Sequence, residues 1–264
     1  MKRQAIELRE LQVSYDDNII IPRLDLAIPA GKMTIIIGPN GCGKSTLLKT
    51  IGRILAPRKG EVLLNGETIR NQAPKAVARR MAVLPQSPLV PDGLLVRELI
   101  AYGRYPYQTP MGGLKKDDLE IIDWAMKSTS VYAFADRVVA ELSGGQRQRV
   151  WIAMALAQKT DILVLDEPTT YLDMANQLEI LTLLKKLNRN TGVTVLIVMH
   201  ELNNAIKFAD NIIGMKDGRV IFAGQPAQVV TKENLKQLYD IEATLQMDEE
   251  GGYPICINYE LADE

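Results

Sequence analysis

Cysteine is nearly missing from this chain, and neither sign of charge is in excess. Two cysteines, Cys42 and Cys256, stand far apart among 264 residues. They are too few and too oddly placed for a disulfide framework, so a reducing compartment is expected. Lys and Arg number 31 against 32 for Asp and Glu, a net charge of -1. That balance removes the electrostatic case for a nucleic-acid binder working through a basic face. No uninterrupted apolar run approaches membrane-spanning length, so any membrane association is expected to come through a partner. The opening residues, Met-Lys-Arg-Gln-Ala-Ile-Glu-Leu-Arg-Glu, are interrupted by charge too early for a signal peptide, and none is expected. Internal repeats and low-complexity tracts are absent as well. What the chain does have is apolar mass: 47% hydrophobic residues suffice for a large core, arranged as one domain with an insertion or as two subdomains.

The densest chemistry lies at residues 38–46, Gly-Pro-Asn-Gly-Cys-Gly-Lys-Ser-Thr. Gly38, Gly41 and Gly43 let the backbone turn tightly enough for successive N–H groups to face anionic oxygens. Met33 to Ile37 reads as a buried strand feeding this loop and Lys44 to Ile54 as the helix leaving it, so the positive helix end meets phosphate. Lys44 is placed to reach the β- and γ-phosphates of a nucleotide, and Ser45 to offer its hydroxyl to Mg²⁺; Thr46 is the next hydroxyl. At an effective dielectric near 20, one such charge contact at about 4 Å is worth roughly 4 kcal/mol. Cys42 reads as a small filler whose alkylation should block ATP.

Ahead of the loop, Ile6, Leu8, Leu11 and Val13 lie close to alternation. A β-rich stretch from Ile19 to Ile28 is interrupted by Pro22 and Pro29, so a short antiparallel sheet is expected. Tyr15, before the turn cluster Asp16-Asp17-Asn18, is either a stacking platform for adenine or a strand-end packing aromatic. Behind the loop, Glu61 to Asn65 and Met81 to Leu84 read as strands, and Gln86 closes the second near a prospective metal and water. From Ser87 to Thr160 the segment is mostly helical, punctuated by Pro88, Pro91, Pro106 and Pro110. Leu95 to Tyr102 is one helix there. A second carries the stripe Leu119, Ile122 and Met126, with Lys115, Lys116, Asp117, Asp118 and Glu120 solvated or capping its start.

Leu142-Ser143-Gly144-Gly145-Gln146 precedes an apolar helix from Arg147 to Gln158. Ser143 suits an N-cap, and the two glycines leave bare N–H groups for an anion. Ile162 to Leu165 reads as a buried parallel strand presenting Asp166 and Glu167 at its C-terminal edge, where open parallel sheets bind ligands. Asp166 suits Mg²⁺, and Glu167 the polarisation of water attacking a γ-phosphate. A loop to Asp173, a helix from Asn176 to Arg189 and a strand from Val193 to Met199 lead to His200, the only histidine. It reads either as an ordinary polar residue or as a contact to the terminal phosphate. A hairpin around Asp217-Gly218, helical residues 226–239 and an acidic tail with a last strand from Ile255 to Tyr259 complete the chain.

In order across about residues 5 to 225, the phosphate loop, Gln86, Leu142 to Gln146, Val164-Leu165-Asp166-Glu167, Asp173 and His200 resemble an ATP-binding-cassette ATPase. The resemblance implies an α/β P-loop NTPase fold with a mainly parallel core sheet, an N-terminal antiparallel β-subdomain and an inserted helical subdomain. It places the ATPase domain at 1–240, with a nucleotide-binding core at 1–86 and 160–240, a helical subdomain at 87–159 and an acidic extension at 241–264. It also implies a head-to-tail homodimer, in which ATP on one loop (Gly38, Asn40, Gly41, Cys42, Gly43, Lys44, Ser45, Thr46) meets the other copy's Ser143, Gly144, Gly145 and Gln146. Tyr15 then stacks on adenine, Gln86 joins Ser45 and Asp166 around Mg²⁺, Asp173 spans the seam, and Glu167 and His200 are catalytic. Pro91 to Gln108, Gln146 to Arg149 and Tyr171 resemble ATPases of ferric-siderophore, haem and cobalamin importers, the siderophore branch above all. Tyr107 stands where many members carry histidine, and Glu201 where aspartate is common. The expected partners are membrane permease subunits and, indirectly, an extracytoplasmic solute-binding protein, with the chain peripheral on the cytoplasmic face of the membrane and no nucleic acid. The rival expectations are a haem or cobalamin importer ATPase, a soluble cassette for cluster assembly, and a nucleotide-binding scaffold without turnover. The last would lack Glu167 or the signature serine, and both are present.

Overall fold

The structure is a computed structural model that describes residues 3–86, 92–109 and 112–262. Pro88, Pro91 and Pro110 lie outside the described residues. The first half of the chain runs β1 (Gln4–Tyr15), β2 (Asn18–Pro29), β3 (Met33–Ile37), α1 (Lys44–Ile51), β4 (Lys59–Leu64), β5 (Glu67–Thr68), α2 (Pro74–Ala78), β6 (Met81–Leu84), α3 (Val96–Ala101) and α4 (Lys116–Ser128). It continues through α5 (Gly144–Ala157), β7 (Ile162–Asp166), α6 (Met174–Thr191), β8 (Thr194–Val198), α7 (Leu202–Phe208), β9 (Asn211–Lys216) and β10 (Arg219–Gly224). The last elements are α8 (Pro226–Val229), α9 (Lys232–Tyr239), β11 (Ile241–Met247) and β12 (Pro254–Leu261). Two compact units result, one made of Met1–Asn71 with Leu187–Glu264, the other of Gln72–Lys186.

In the first unit an antiparallel sheet has the order β2-β1-β4-β5. The apolar residues of β1 change parity, from Ile6 and Leu8 to Leu11 and Val13, and all four are buried. A strand can keep both pairs on one face only by inserting a residue. The register slips between Leu8 and Leu11, where Glu10 takes a left-handed φ of 47°. Gly60 lies opposite, where a Cβ would stand 2.4 Å from the Arg9 and Glu10 carbonyl oxygens. Pro29 ends β2 as expected, but Pro22 does not divide it, because β2 is the edge strand and Pro22 owes no ladder hydrogen bond. In the same unit β3 runs parallel to β8 and β9, and β10 returns antiparallel on β9. Every residue of β3 and β8 is buried, as suits strands covered on both faces.

Two expectations here need correction. The helix after the phosphate loop stops at Ile51 rather than Ile54, because Gly52 caps it and Arg53 turns left-handed at φ 59°. Residues 226–239 form two helices, the second beginning where the Thr231 hydroxyl accepts from Asn234 N at 3.2 Å. The tail is a two-stranded sheet, β11 with β12. Asn203 ties it down, donating to Cys256 O at 3.0 Å and accepting from Cys256 N at 2.9 Å.

The second unit pairs β6 with β7 in parallel and is otherwise helical. The buried face of α4 is Asp118, Ile122, Ala125 and Met126, so Ile122 and Met126 hold the expected stripe, whereas Leu119 is 52% exposed and Asp118 goes inward in its place. Asp118 goes inward because Arg104 is there: Arg104 Nε donates to Asp118 Oδ1 at 2.7 Å and Nη1 to Ala157 O at 2.8 Å. Lys115 N donates to the other carboxylate oxygen at 2.9 Å, so the same residue caps α4. Burial pushes the Asp118 carboxyl up, but Lys115 and Arg104 together outweigh it and hold it below the usual carboxylate range. The Tyr107 ring stacks 4.0 Å from the Arg104 guanidinium and its hydroxyl donates to Gln158 O at 3.0 Å.

Candidate nucleotide site

The phosphate loop follows β3 in the first unit. Gly38, Gly41 and Gly43 have φ of 153°, 77° and 102°, a backbone path that side chains with a Cβ rarely follow. At Gly38 the path is also closed sterically, since a Cβ would stand 2.0 Å from the Met215 carbonyl oxygen. Gly43 is the N-cap of α1 and no side chain caps that helix, so its positive end is left for an external anion. Asn40 and Gly41 are exposed at the loop tip, Ser45 is half-buried and Thr46 buried. Lys44, 5% exposed, donates to Gly38 O and Pro39 O at 2.8 Å each. A buried ammonium resting on two neutral carbonyls, inside a loop lined with amides, fits a phosphate chain.

Cys42 fills the loop as expected. It is buried, lies 3.8 Å from Lys44 Nζ, and its carbonyl accepts from Gly218 N at 3.0 Å. Burial pushes its thiol up, with Lys44 opposing only in part. The Ile36 and Val198 pair sets β3 beside β8, and Met199 N donates to Ile36 O at 3.1 Å. Two residues beyond that pair stand Gly38 and His200, so the histidine, exposed, shares the strand edge from which the loop springs. Tyr15 is 42% exposed at the end of β1, and Ile20 from the same hairpin packs against Gly43.

The second unit gathers the acidic residues. Leu84 pairs with Leu165, which sets Gln86 and Glu167 side by side two residues further on. Gln86 Nε2 donates to Glu167 Oε2 at 2.5 Å and Thr170 Oγ1 to the same oxygen at 3.0 Å. Glu167 holds a left-handed φ of 49°, a region sparsely populated by residues with a Cβ. Asp166, one residue earlier and 9% exposed, is the buried acid at the end of β7. Ser143 and Gln146 form a full capping box: Ser143 Oγ accepts from Gln146 N at 3.3 Å and Ser143 N donates to Gln146 Oε1 at 3.2 Å.

Asp173 caps α6, accepting from Asn176 N and Asn176 Nδ2 at 2.8 Å each, and these bonds, the backbone one first, hold its carboxyl below the usual range. Asn176 also explains one signature glycine, since a Cβ at Gly145 would stand 2.5 Å from Asn176 Oδ1. A second glycine at the start of α5 is therefore not redundant within a single copy. Thr170 and Asn176 were not singled out by the sequence, although both follow Glu167 in the stretch Pro168 to Asn176 and their types suit carboxylate contacts. Among the described residues no cluster of three or more His, Cys, Asp or Glu forms a metal cage, and no helix is long and apolar enough to cross a membrane. One or two carboxylates and a hydroxyl, completed by phosphate and water, suit Mg²⁺.

Comparison with known proteins agrees with this chemistry. A family model described as ABC transporter matches residues 21–170. The iron(3+)-hydroxamate import ATP-binding protein of Bacillus subtilis is 49% identical over 257 residues, covering 97% of this chain and 96% of that protein. The petrobactin import ATP-binding protein of Bacillus anthracis is 46% identical over 255 residues, covering 97% and 93%. Among solved structures, a dimeric bacterial ABC transporter cassette matches with a TM-score of 0.74 at 30% identity, covering 83% of this chain and 98% of that one. The chain belongs to the ABC transporter family, as one of its ATP-binding, ATP-hydrolysing cassettes.

Proposed function

We propose that the protein hydrolyses MgATP as the peripheral ATPase subunit of an importer, on the cytoplasmic face of the membrane, and powers uptake of an iron(III)-siderophore-type complex through a separate permease. The observation that carries hydrolysis is Glu167, a carboxylate fixed at a strand end by Gln86 and Thr170. The cargo class rests on near full-length similarity to iron-chelate import proteins.

In this reading Lys44 leaves the Gly38 and Pro39 carbonyls for the β- and γ-phosphates, with Asn40, Gly41, Cys42, Gly43 and Thr46 lining the cradle. Tyr15 stacks on adenine. Glu167 orients and deprotonates the attacking water, and His200 holds the γ-phosphate. Ser45, Gln86 and Asp166 would hold Mg²⁺, whose charge stabilises the phosphates as they separate. A second copy closes head to tail, bringing Ser143, Gly144, Gly145 and Gln146 to the same ATP and Asp173 to the seam. Ser143 Oγ already accepts one bond from Gln146 N, which leaves its O–H to donate to a phosphoryl oxygen.

The test is phosphate release by the purified protein, co-purification of permease subunits from membranes with a tagged copy, and uptake of labelled ferric hydroxamate, haem and cobalamin by cells carrying or lacking the gene. Phosphate release with loss of ferric hydroxamate uptake alone is expected. Absence of phosphate release in the presence of permease would remove the ATPase reading, and loss of haem or cobalamin uptake would reassign the cargo.

A further inference from the structure

The chain's only histidine stands between two fixed points of the first unit. On one side Met199 N donates to Ile36 O at 3.1 Å, which ties the end of β8 to β3. On the other side α7 begins, and three residues beyond His200 the Asn203 amide meets the tail. Its Nδ2 donates to Cys256 O at 3.0 Å and its Oδ1 accepts from Cys256 N at 2.9 Å, the pairing that the backbone of a neighbouring strand would make on β12.

Helix α7 needs such support at its start. It has only seven residues, its N-cap Glu201 makes no side-chain cap hydrogen bond, and its buried residues Ala205, Ile206 and Phe208 all lie in its second half. The hairpin that Asn203 grips is fixed in turn. At its foot Lys216 Nζ, closing β9, donates to both carboxylate oxygens of Asp240 at 2.8 and 2.7 Å, and Ala262 N donates to Asp240 O at 3.0 Å. At its far end the Asp248 carboxylate accepts from Glu250 N at 3.0 Å and from Gly251 N at 2.9 Å. A two-stranded sheet is marginal by itself, and these bonds make an anchor of it.

We propose that Asn203 is a positioning residue of the nucleotide site, and that the C-terminal hairpin, through Cys256, sets the place of His200. Met199 and Asn203 bracket the histidine, so loosening the second releases the first turn of α7 and with it the imidazole. The tail thereby acts on hydrolysis from outside the phosphate loop. This rests on His200 holding the γ-phosphate.

Asn203 is exposed, so Asn203→Ala should leave the fold and the phosphate loop intact. Because the chain has one histidine, protein labelled in that residue type gives a single imidazole signal by NMR, and without nucleotide this signal should shift in the variant. With MgATP, kcat for phosphate release by the full chain is expected to fall roughly three- to ten-fold, the span of one net hydrogen bond. The Kd for ATP, measured by calorimetry, should stay within about two-fold of the wild type. In a His200→Ala background, followed by single turnover, the same change should cost nothing further. An unmoved imidazole signal overturns the proposal, and so does a loss of kcat that persists undiminished beside His200→Ala, which would assign Asn203 to stability alone. A His200→Ala variant with wild-type kcat would instead sink the role given to His200 itself.

Discussion

The contact between Gly145 and Asn176 permits a sharp test, because the same substitution should change sign with its background. An alanine Cβ at 145 would stand 2.5 Å from Asn176 Oδ1, roughly 0.8 Å inside an ordinary carbon–oxygen contact. Asn176 cannot simply swing aside, since its Nδ2 is held by Asp173 Oδ2 at 2.8 Å. Overpacking of this kind costs about 1–3 kcal/mol. Against it stands the better helix propensity of alanine, about 0.5–1 kcal/mol, so Gly145→Ala should destabilise by roughly 0.5–2 kcal/mol. In an Asn176→Ala background the obstacle is gone, and the same change should be neutral or stabilising by up to about 1 kcal/mol. The coupling then exceeds the scatter of about 0.5 kcal/mol expected of independent sites. Urea unfolding followed by tryptophan fluorescence suits the measurement, because the two tryptophans, Trp124 and Trp151, both belong to the unit that carries the mutations. Equal destabilisation in the two backgrounds would refute the packing argument. If the double variant regains stability and not turnover, the second glycine has a duty toward nucleotide beyond making room for Asn176.

Glu167→Gln should bind ATP and lose turnover by at least about 100-fold in a phosphate-release assay, and normal turnover would strip Glu167 of its role as base. His200→Ala should lose most activity while its circular dichroism stays that of the wild type. Asp118→Asn leaves the Arg104 guanidinium buried without its counter-charge and should cost about 3–5 kcal/mol. Because the folded Asp118 carboxyl lies below its unfolded value, its contribution is present above the unfolded pKa and lost as pH falls through the folded one. Acid unfolding below about pH 4 should therefore lose its Asp118 component in the variant. Alkylation of Cys42 should be slow at neutral pH and accelerate above the ordinary thiol range, since burial raises that thiol, and the modified protein should fail to bind ATP. Peptide mapping against pH measures it.

The strands that position the proposed site residues were more legible in the sequence than the packing was. Asp166, Glu167 and His200 follow short apolar runs, and the loop carrying Lys44 follows another, as buried parallel strands announce themselves by such runs. Positions set by a single distant partner carried no local signal. Asp118 caps α4, as one of its two readings had it, but its burial carried no local signal because Arg104, which draws it inward, lies outside its own helix. Gly145 looked like a bare anion site because Asn176 lies on another element. Strand β11 was hidden, since only Ala243 among its residues is buried and alternation needs more than one inward position. Pro22 misled in the opposite direction, because a proline on an edge strand need not break it. Ser143 supported two readings, and its capping geometry leaves both standing.

Glu167 holds a backbone conformation natural to glycine or asparagine, at a cost of about 1–2 kcal/mol for a side chain of its kind. The acid on which turnover is proposed to depend is thus held at a backbone cost that its bonds from Gln86 and Thr170 must offset. Breeding this protein for heat resistance, with no demand that it keep firing, would drift toward a sturdy cassette that clasps its fuel and never spends it.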